Sequence, residues 1–176
     1  MENIYLDHAA TTPVREEVVQ AMLPCYREKF GNASSVHSFG KAAHEVVEES
    51  RRSVARAIGA SPEEIFFTSG GTESDNVAVK GTMRACRDQG AHLITSSIEH
   101  LAVLNTAKAL ADEGFEVTFL PVDDDGLVDL DRLEHAIGPE TTLISIMLAN
   151  NETGVLQPME QITDMAHEND VLVHTD

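Results

Sequence analysis

Thr68-Ser69-Gly70-Gly71-Thr72-Glu73-Ser74-Asp75-Asn76 follows the apolar run Ile65-Phe66-Phe67 and precedes a helical alternation from Asn76 to Arg87. A strand, a pair of glycines and a helix start together make an anion site. The glycines let the backbone approach closely, and the first helical N–H groups point at the ligand. No Lys follows the glycines, so the segment is not a P-loop, and its spacing is not that of a dinucleotide fingerprint. A phosphate carried by some other cofactor is the expected guest. The motif alone also admits a helix capped by Ser69 or Thr72 with no ligand.

The elements that must position this loop are read from periodicity. Residues through Pro13 are extended and end in a turn, with Pro13 suited to a helix start. Val14, Val18, Met22 and Tyr26 mark one face of the first helix, which Gly31-Asn32-Ala33-Ser34-Ser35 breaks. A second helix is predicted from Ser38 to Ile58. Beyond it the order becomes regular: strand Ile65–Thr68, helix Asn76–Arg87, strand Leu93–Thr95, helix Leu101–Glu113 and strand Val117–Val122. A turn at Asp123-Asp124-Asp125-Gly126 leads to a short helix Leu130–Ile137, strand Leu143–Leu148, helix Met159–Glu168 and strand Val171–His174. Such alternation predicts an α/β fold, a mostly parallel sheet with helices on both faces.

Ligands of such sheets gather at the carboxyl ends of the strands. Those ends present Thr68 to Thr72, then Glu99-His100, then Asn150-Asn151-Glu152, then Asp176. A phosphate loop, a histidine, an amide and a carboxylate suit pyridoxal 5'-phosphate. Its phosphate takes the glycine-rich helix start, and its ring takes a flat partner such as the imidazole of His100. Its pyridine nitrogen needs a carboxylate to stay protonated, and its phenolic oxygen accepts a hydrogen bond that an amide such as Asn151 can donate. Taken singly, His100 also reads as a helix-capping or core histidine, and Asp176 as an exposed acid at a strand end.

Composition narrows the setting. The 176 residues are 42% hydrophobic and 24% charged, which predicts a folded core. There are 30 acidic residues against 12 basic ones, a formal charge of −18, so nucleic acid and anionic membranes are poor partners. Lys29, Lys41, Lys80 and Lys108 are the only lysines. An acidic, lysine-poor surface fits work in high salt, with an ordinary acidic cytosolic protein as the alternative. The amino terminus lacks a basic flank and an apolar signal core, and no apolar run is long enough to span a bilayer, so a cytoplasmic location is expected. Cys25 and Cys86 read as buried small hydrophobes in helices. Asp123-Asp124-Asp125-Gly126 reads as a solvated turn rather than a calcium loop, and Glu45, Glu48 and Glu49 as a wet helix face.

At this point the chain resembles the Nif/Isc-type cysteine desulfurases within the class V aminotransferase group. The resemblance rests on Tyr5-Leu6-Asp7-His8-Ala9-Ala10-Thr11-Thr12-Pro13, Gly31-Asn32-Ala33-Ser34-Ser35-Val36-His37, Phe67 to Ser74, Glu99-His100, Asn150-Asn151-Glu152-Thr153-Gly154 and His174-Thr175-Asp176. These stretches come in the family's order and span the chain. The resemblance implies a pyridoxal-phosphate transferase of fold type I. Residues 1–13 would be an extended segment belonging to the small domain, and 14–176 an incomplete large domain. Gly71 and Thr72 would bind the cofactor phosphate. His100 would stack on the pyridine ring and move protons. Asn151 would contact the ring oxygen or the substrate carboxylate, and Asp176 would pair with the pyridine nitrogen. No metal is implied.

The implied reaction takes sulfur from L-cysteine to a protein cysteine, giving alanine and an enzyme persulfide. An iron–sulfur scaffold or a tRNA-modifying protein then accepts the sulfur, and the complete enzyme would be a homodimer. The Schiff-base lysine and the nucleophilic cysteine of the family match none of the lysines or cysteines here and are expected beyond Asp176. The chain alone is therefore expected to be inactive. The strand Ile65–Thr68 is expected to lack a neighbour, because in the family's fold it pairs with a later strand. Ala33, where Pro is more common, and Gly71, where Ala is also common, are small departures. Other enzymes of the same group (a selenocysteine lyase, an aminotransferase, a cysteine-sulfinate desulfinase) stay open, as does a non-catalytic half-length partner of an intact homologue.

Overall fold

The computed structural model describes residues 3–176. The chain divides into two compact units, Met1–Phe67 and Thr68–Asp176.

In the first unit the segment before the first helix carries a turn over 8–10, and Tyr5 Oη donates to the backbone oxygens of Asp7 (2.8 Å) and Thr11 (3.1 Å). Helix α1 (Glu16–Arg27) begins later than Pro13 suggests, with Glu16 and Glu17 at its positive end and Arg27 at its negative end. Its expected apolar face is present, but Val14, Val18, Met22 and Tyr26 are all exposed. Helix α2 (Ser38–Ile58) has the predicted bounds. His37 Nδ1 accepts the Gly40 N–H at its start, and Gly59, at φ 71°, closes it in the left-handed conformation that glycine adopts without strain.

The strand expected at Ile65–Thr68 does not form. A 3₁₀ turn, Pro62–Glu64, runs into Ile65, and no ladder joins the following residues to the sheet. Extended backbone becomes a strand only when a neighbour takes its hydrogen bonds. Here Arg51 serves instead: its guanidinium donates to the Ile65 carbonyl oxygen and lies 5.1 Å from the centre of the Phe67 ring.

The second unit is the α/β body. Strands β1 (His92–Ser96), β2 (Glu116–Leu120), β3 (Thr141–Ser145) and β4 (Leu172–His174) form an all-parallel sheet in the order β2-β1-β3-β4. Helices α3 (Gly71–Asp75) and α4 (Gly81–Ala85) are joined by a π-helical turn, Asn76–Lys80. They precede β1, α5 (Leu101–Asp112) links β1 to β2, α6 (Leu130–Ala136) links β2 to β3, and α7 (Met159–Glu168) links β3 to β4. The central strands β1 and β3 are buried throughout.

Side chains alternate between the sheet's faces. Leu93 and Leu143 pack with Val79, Met83, Ala107 and Leu110 on one side, whereas Ile94 and Ile144 pack with Leu133, Ile162 and Ala166 on the other. Helices therefore cover both faces, as the alternation predicts. Each fully buried aliphatic side chain contributes about 1.5–3 kcal/mol. At the amino rim of the sheet, His92 is hydrogen-bonded to Thr141 Oγ1 (2.9 Å) and Thr118 Oγ1 (2.8 Å), joining β1 to both its neighbours.

The helix expected from Asn76 starts earlier, at Gly71, and β3 stops at Ser145 rather than at Leu148. Asp123 Oδ1 accepts the N–H groups of Asp125 and Leu127, which makes the acidic run a side-chain-closed turn. Cys25 and Cys86 are half-buried rather than fully buried; Cys25 lies in α1 as expected, whereas Cys86 follows the last residue of α4 rather than lying in a helix. No helix of the described residues is long and apolar enough to cross a membrane.

Candidate active site

The glycine loop opens α3 without a side-chain cap of the kind Ser69 or Thr72 could make. Instead Glu73 turns back, and its Oε2 accepts both the Ser69 hydroxyl (2.6 Å) and the Ser69 N–H (2.7 Å). These bonds hold the Glu73 carboxyl below its ordinary pKa. Thr68 Oγ1, 2.7 Å from Ser74 Oγ, closes the other side of the loop. The N–H groups of Gly71 and Thr72 make no hydrogen bond among the described residues. A Cβ built on Gly70 or Gly71 meets nothing within 4 Å, so the loop is uncrowded on its Cα side.

His100 follows β1 and caps α5. Its Nδ1 accepts the Ala102 N–H at 3.1 Å, which leaves the ring proton on Nε2 and the ring exposed. The capping role and the ring-facing role are thus compatible. Thr72 and His100 line one cleft of about 300 Å³, together with Asn76, Lys80, Asn105 and Thr106.

Glu99 braces this edge from beneath. It is 5% exposed, and its carboxylate accepts the Ser96 hydroxyl (2.6 Å) and the Met147 N–H (3.0 and 3.1 Å), tying the end of β1 to the end of β3. Burial raises its pKa, and the bonds from Ser96 and Met147 oppose that rise. Asn150 is buried as well. Its Nδ2 donates to the Ile98 carbonyl (2.9 Å), and its Oδ1 accepts the N–H groups of Glu152 and Thr153. That folds the loop so that Asn151 is exposed. Asn151 lies outside the cleft, with its Nδ2 on Glu152 Oε1 at 3.1 Å.

Asp176 stands just past β4. Thr175 Oγ1 accepts the Leu148 N–H at 2.8 Å and fixes the strand end. Asp75, on α3, is 3% exposed. Burial raises its pKa, the charge of Asp176 raises it further, and His174 and His100 oppose the shift. The structure therefore sets Gly71 and Thr72 at the start of α3, His100 at the cap of α5, and Asn151 and Asp176 on the segments that follow β3 and β4. Of these, Thr72 and His100 share the cleft.

Asp75, Asn150 and His174 were not singled out from sequence. Asp75 carries a readable signal: it shares a helix face with Val79 and Met83, at intervals of four, so an acid stands where apolar residues are expected.

The fold is that of the pyridoxal-phosphate enzymes of fold type I. Residues 4–176 match the aminotransferase class-V family, and the chain belongs to that family. It is 55% identical to a cysteine desulfurase IscS of Methanosarcina thermophila, over 98% of this chain and 43% of that protein. It is 52% identical to a cysteine desulfurase IscS of Dictyoglomus turgidum, over 98% and 44%. Among solved structures, a NifS-like protein superposes with a TM-score of 0.92 at 44% identity, covering 96% of this chain and 47% of that one. SspA in complex with cysteine superposes with a TM-score of 0.92 at 43% identity, covering 98% and 50%. The chain spans less than half the length of these curated relatives.

The residues present fit pyridoxal phosphate, the cofactor of this family. The free N–H groups of Gly71 and Thr72, on an uncrowded loop, suit its phosphate. Asp75, Glu99 and Asp176 form a carboxylate cluster, and the groups offsetting charge at Asp75 are the imidazoles of His174 and His100. Such a cluster calls for a cation, which a protonated pyridine nitrogen supplies.

Proposed function

We propose that this chain is the cofactor-holding part of a cysteine desulfurase that takes sulfur from L-cysteine, leaves alanine and passes the sulfur to an acceptor such as an iron–sulfur scaffold or a tRNA-thiolating protein. The supporting observation is 55% identity to a named cysteine desulfurase across nearly the whole chain, with Thr72 and His100 lining one cleft. A solved relative that holds cysteine supports the substrate.

Bound at this site, the cofactor supplies an electron sink for the substrate's α-carbon. The chain's residues orient it and hold its protons. The N–H groups of Gly71 and Thr72 take the phosphate. The His100 ring, fixed by its cap on α5, would be the flat partner of the pyridine ring, with Nε2 free to hold or move a proton. The Asn151 amide donates to the ring oxygen or to the substrate carboxylate. Asp176 keeps the proton on the ring nitrogen, with Glu99 and Asn150 holding the loops in place.

In this reading residues 1–13 belong to the small domain of the complete enzyme and 14–176 to its large domain. The protein works as a cytoplasmic homodimer in a saline interior, and the lysine and cysteine that act covalently lie outside these 176 residues.

Two measurements test the reading. The 176-residue chain is expected to bind pyridoxamine 5'-phosphate, followed by fluorescence, and Asp176→Asn is expected to weaken it about tenfold or more, the scale of a lost ion pair to a cation. The complete protein is expected to release sulfide from L-cysteine in the presence of a thiol. Alanine formation without sulfur transfer, or transamination in its place, would assign a different enzyme of the group.

A further inference from the structure

Ser145, His174 and Asp75 stand in line as hydroxyl, imidazole and carboxylate. Ser145 Oγ lies 2.8 Å from His174 Nδ1, and His174 Nε2 lies 3.6 Å from Asp75 Oδ1. The order is that of a nucleophile triad, yet Ser145 is 0% exposed in the central strand β3, so no substrate reaches it. The line has another end. His174 and Asp176 are two residues apart at the end of β4, while Thr175 between them is turned to Leu148, so the two share a face. The charge of Asp176 is near enough to act on Asp75.

We infer that Asp75 and His174 are positioning residues for Asp176: the imidazole, oriented by Ser145, fixes the Asp75 carboxylate, which adds to the negative field that Asp176 turns toward a cationic ring nitrogen. This rests on the reading that the cofactor's pyridine ring lies at Asp176. The Asp75 carboxylate favours the ring proton on the nitrogen that faces it, Nε2, and Nδ1 then accepts the Ser145 hydroxyl. At 3.6 Å the N–H of the uncharged ring faces the carboxylate as a dipole rather than as a full hydrogen bond.

The fold alone gives little reason for a carboxylate at this point. Asp75 is 3% exposed, and burial holds its imidazole neighbour toward the uncharged form. A buried carboxylate beside a neutral partner, with Asp176 and Glu99 also bearing on it, costs stability. Asparagine would fill the same space without that cost. The groups facing Asp75 are His174 and Asp176 at the end of β4, and Glu99 and His100 at the start of α5. None brings a permanent positive charge, so a ligand cation gains from all three carboxylates.

The sign follows. Removing the Asp75 charge weakens the hold on the ring proton, so a bound ring loses that proton at lower pH. The test uses the full chain with pyridoxamine 5'-phosphate, which does not condense with lysine side chains. The ultraviolet band of the bound, protonated ring is followed against pH. Asp75→Asn is expected to move the loss of that band about one pH unit lower, a tenfold fall in proton affinity. His174→Gln is expected to move it the same way by a smaller step.

Binding that weakens equally at every pH in both variants, with the band's midpoint unmoved, would show a merely structural pair and overturn the inference. The control is Asp176→Asn. If it too leaves the midpoint in place, or if the unaltered chain binds no probe, the cofactor reading fails and this inference falls with it. Should Asp75→Asn fail to fold, His174→Gln and the unaltered chain still decide. Imidazole nitrogen shifts in the unaltered chain are expected to show His174 with its proton on Nε2, and a proton on Nδ1 would overturn the arrangement.

Discussion

Asn150 sits one residue before the amide assigned to the cofactor and does different work. It is spent on the backbone, holding Ile98 on one side and the Glu152–Thr153 turn on the other. Asn150→Ala strands these buried groups and is expected to cost about 1–3 kcal/mol of stability, visible in thermal unfolding, as well as cofactor affinity. Asn151→Ala is expected to lower affinity and leave the unfolding midpoint nearly unchanged. Equal destabilisation by both would show that the roles are not divided in this way. Glu99 gives a pH signature. Its folded pKa lies above the ordinary 4.5, so the folded state holds the proton more tightly. Stability is therefore lost as pH rises from 4.5 through the raised value. Asp75 acts in the same sense from 3.8, whereas His174, lowered from 6.5, acts in the opposite sense below that value. Glu99→Gln is expected to flatten the alkaline-going decline in melting temperature, and an unchanged slope would remove Glu99 as its source. The places of His100, Asn151 and Asp176 beyond strand ends were legible from the strand and helix alternation. Asp75 and Asn150 were not, because only tertiary packing shows which polar residues turn inward.

The helical run after the glycine loop carries its chemistry through an irregularity. The π-helical turn Asn76–Lys80 has a wider period than an α-helix, which limits the drift of residues spaced by four. Asp75, Val79 and Met83 stay on the buried side, so Asp75 remains under the site while Met83 packs on the sheet. Deleting Ala78 would remove the extra residue of that turn and restore α-helical winding, which leaves Asp75, Val79 and Met83 spaced by three and four residues and still on one face. The expected result is a folded chain by circular dichroism that still binds pyridoxamine 5'-phosphate. Lost binding would show that the turn itself shapes the site. Helices α2 and α7 were legible to the residue, since long amphipathic patterns fix their own ends. The π-helical turn leaves no mark in a hydrophobic pattern, and Gly71 reads as loop although it opens a helix. At residues 65–68 an apolar run suggested a strand, but a strand also needs a neighbour, which local sequence cannot supply.

The two units differ in how they bury apolar side chains. The second has a core on each face of its sheet, while the first leaves Val14, Val18, Met22, Tyr26, Phe30 and Phe66 exposed. The overall α/β plan was legible, because strand and helix alternation is a long-range pattern. The exposure of the α1 stripe was not, because periodicity shows that a face is apolar without showing what covers it. A formal charge of −18 opposes compaction when salt is low, since the screening length grows to about 30 Å near 0.01 M. The folded fraction, followed by far-ultraviolet circular dichroism, is expected to fall as salt is withdrawn, and constancy in dilute buffer would remove the saline reading. The sheet also has unlike rims. At its amino rim the His92 ring stitches three strands together through Thr118 and Thr141, while its carboxyl rim ends in loops. Breathing of the sheet should therefore begin at the loop-bearing end and die away toward the stitch. Deuterium labelling would record that gradient strand by strand, with the amides nearest His92 the last to exchange.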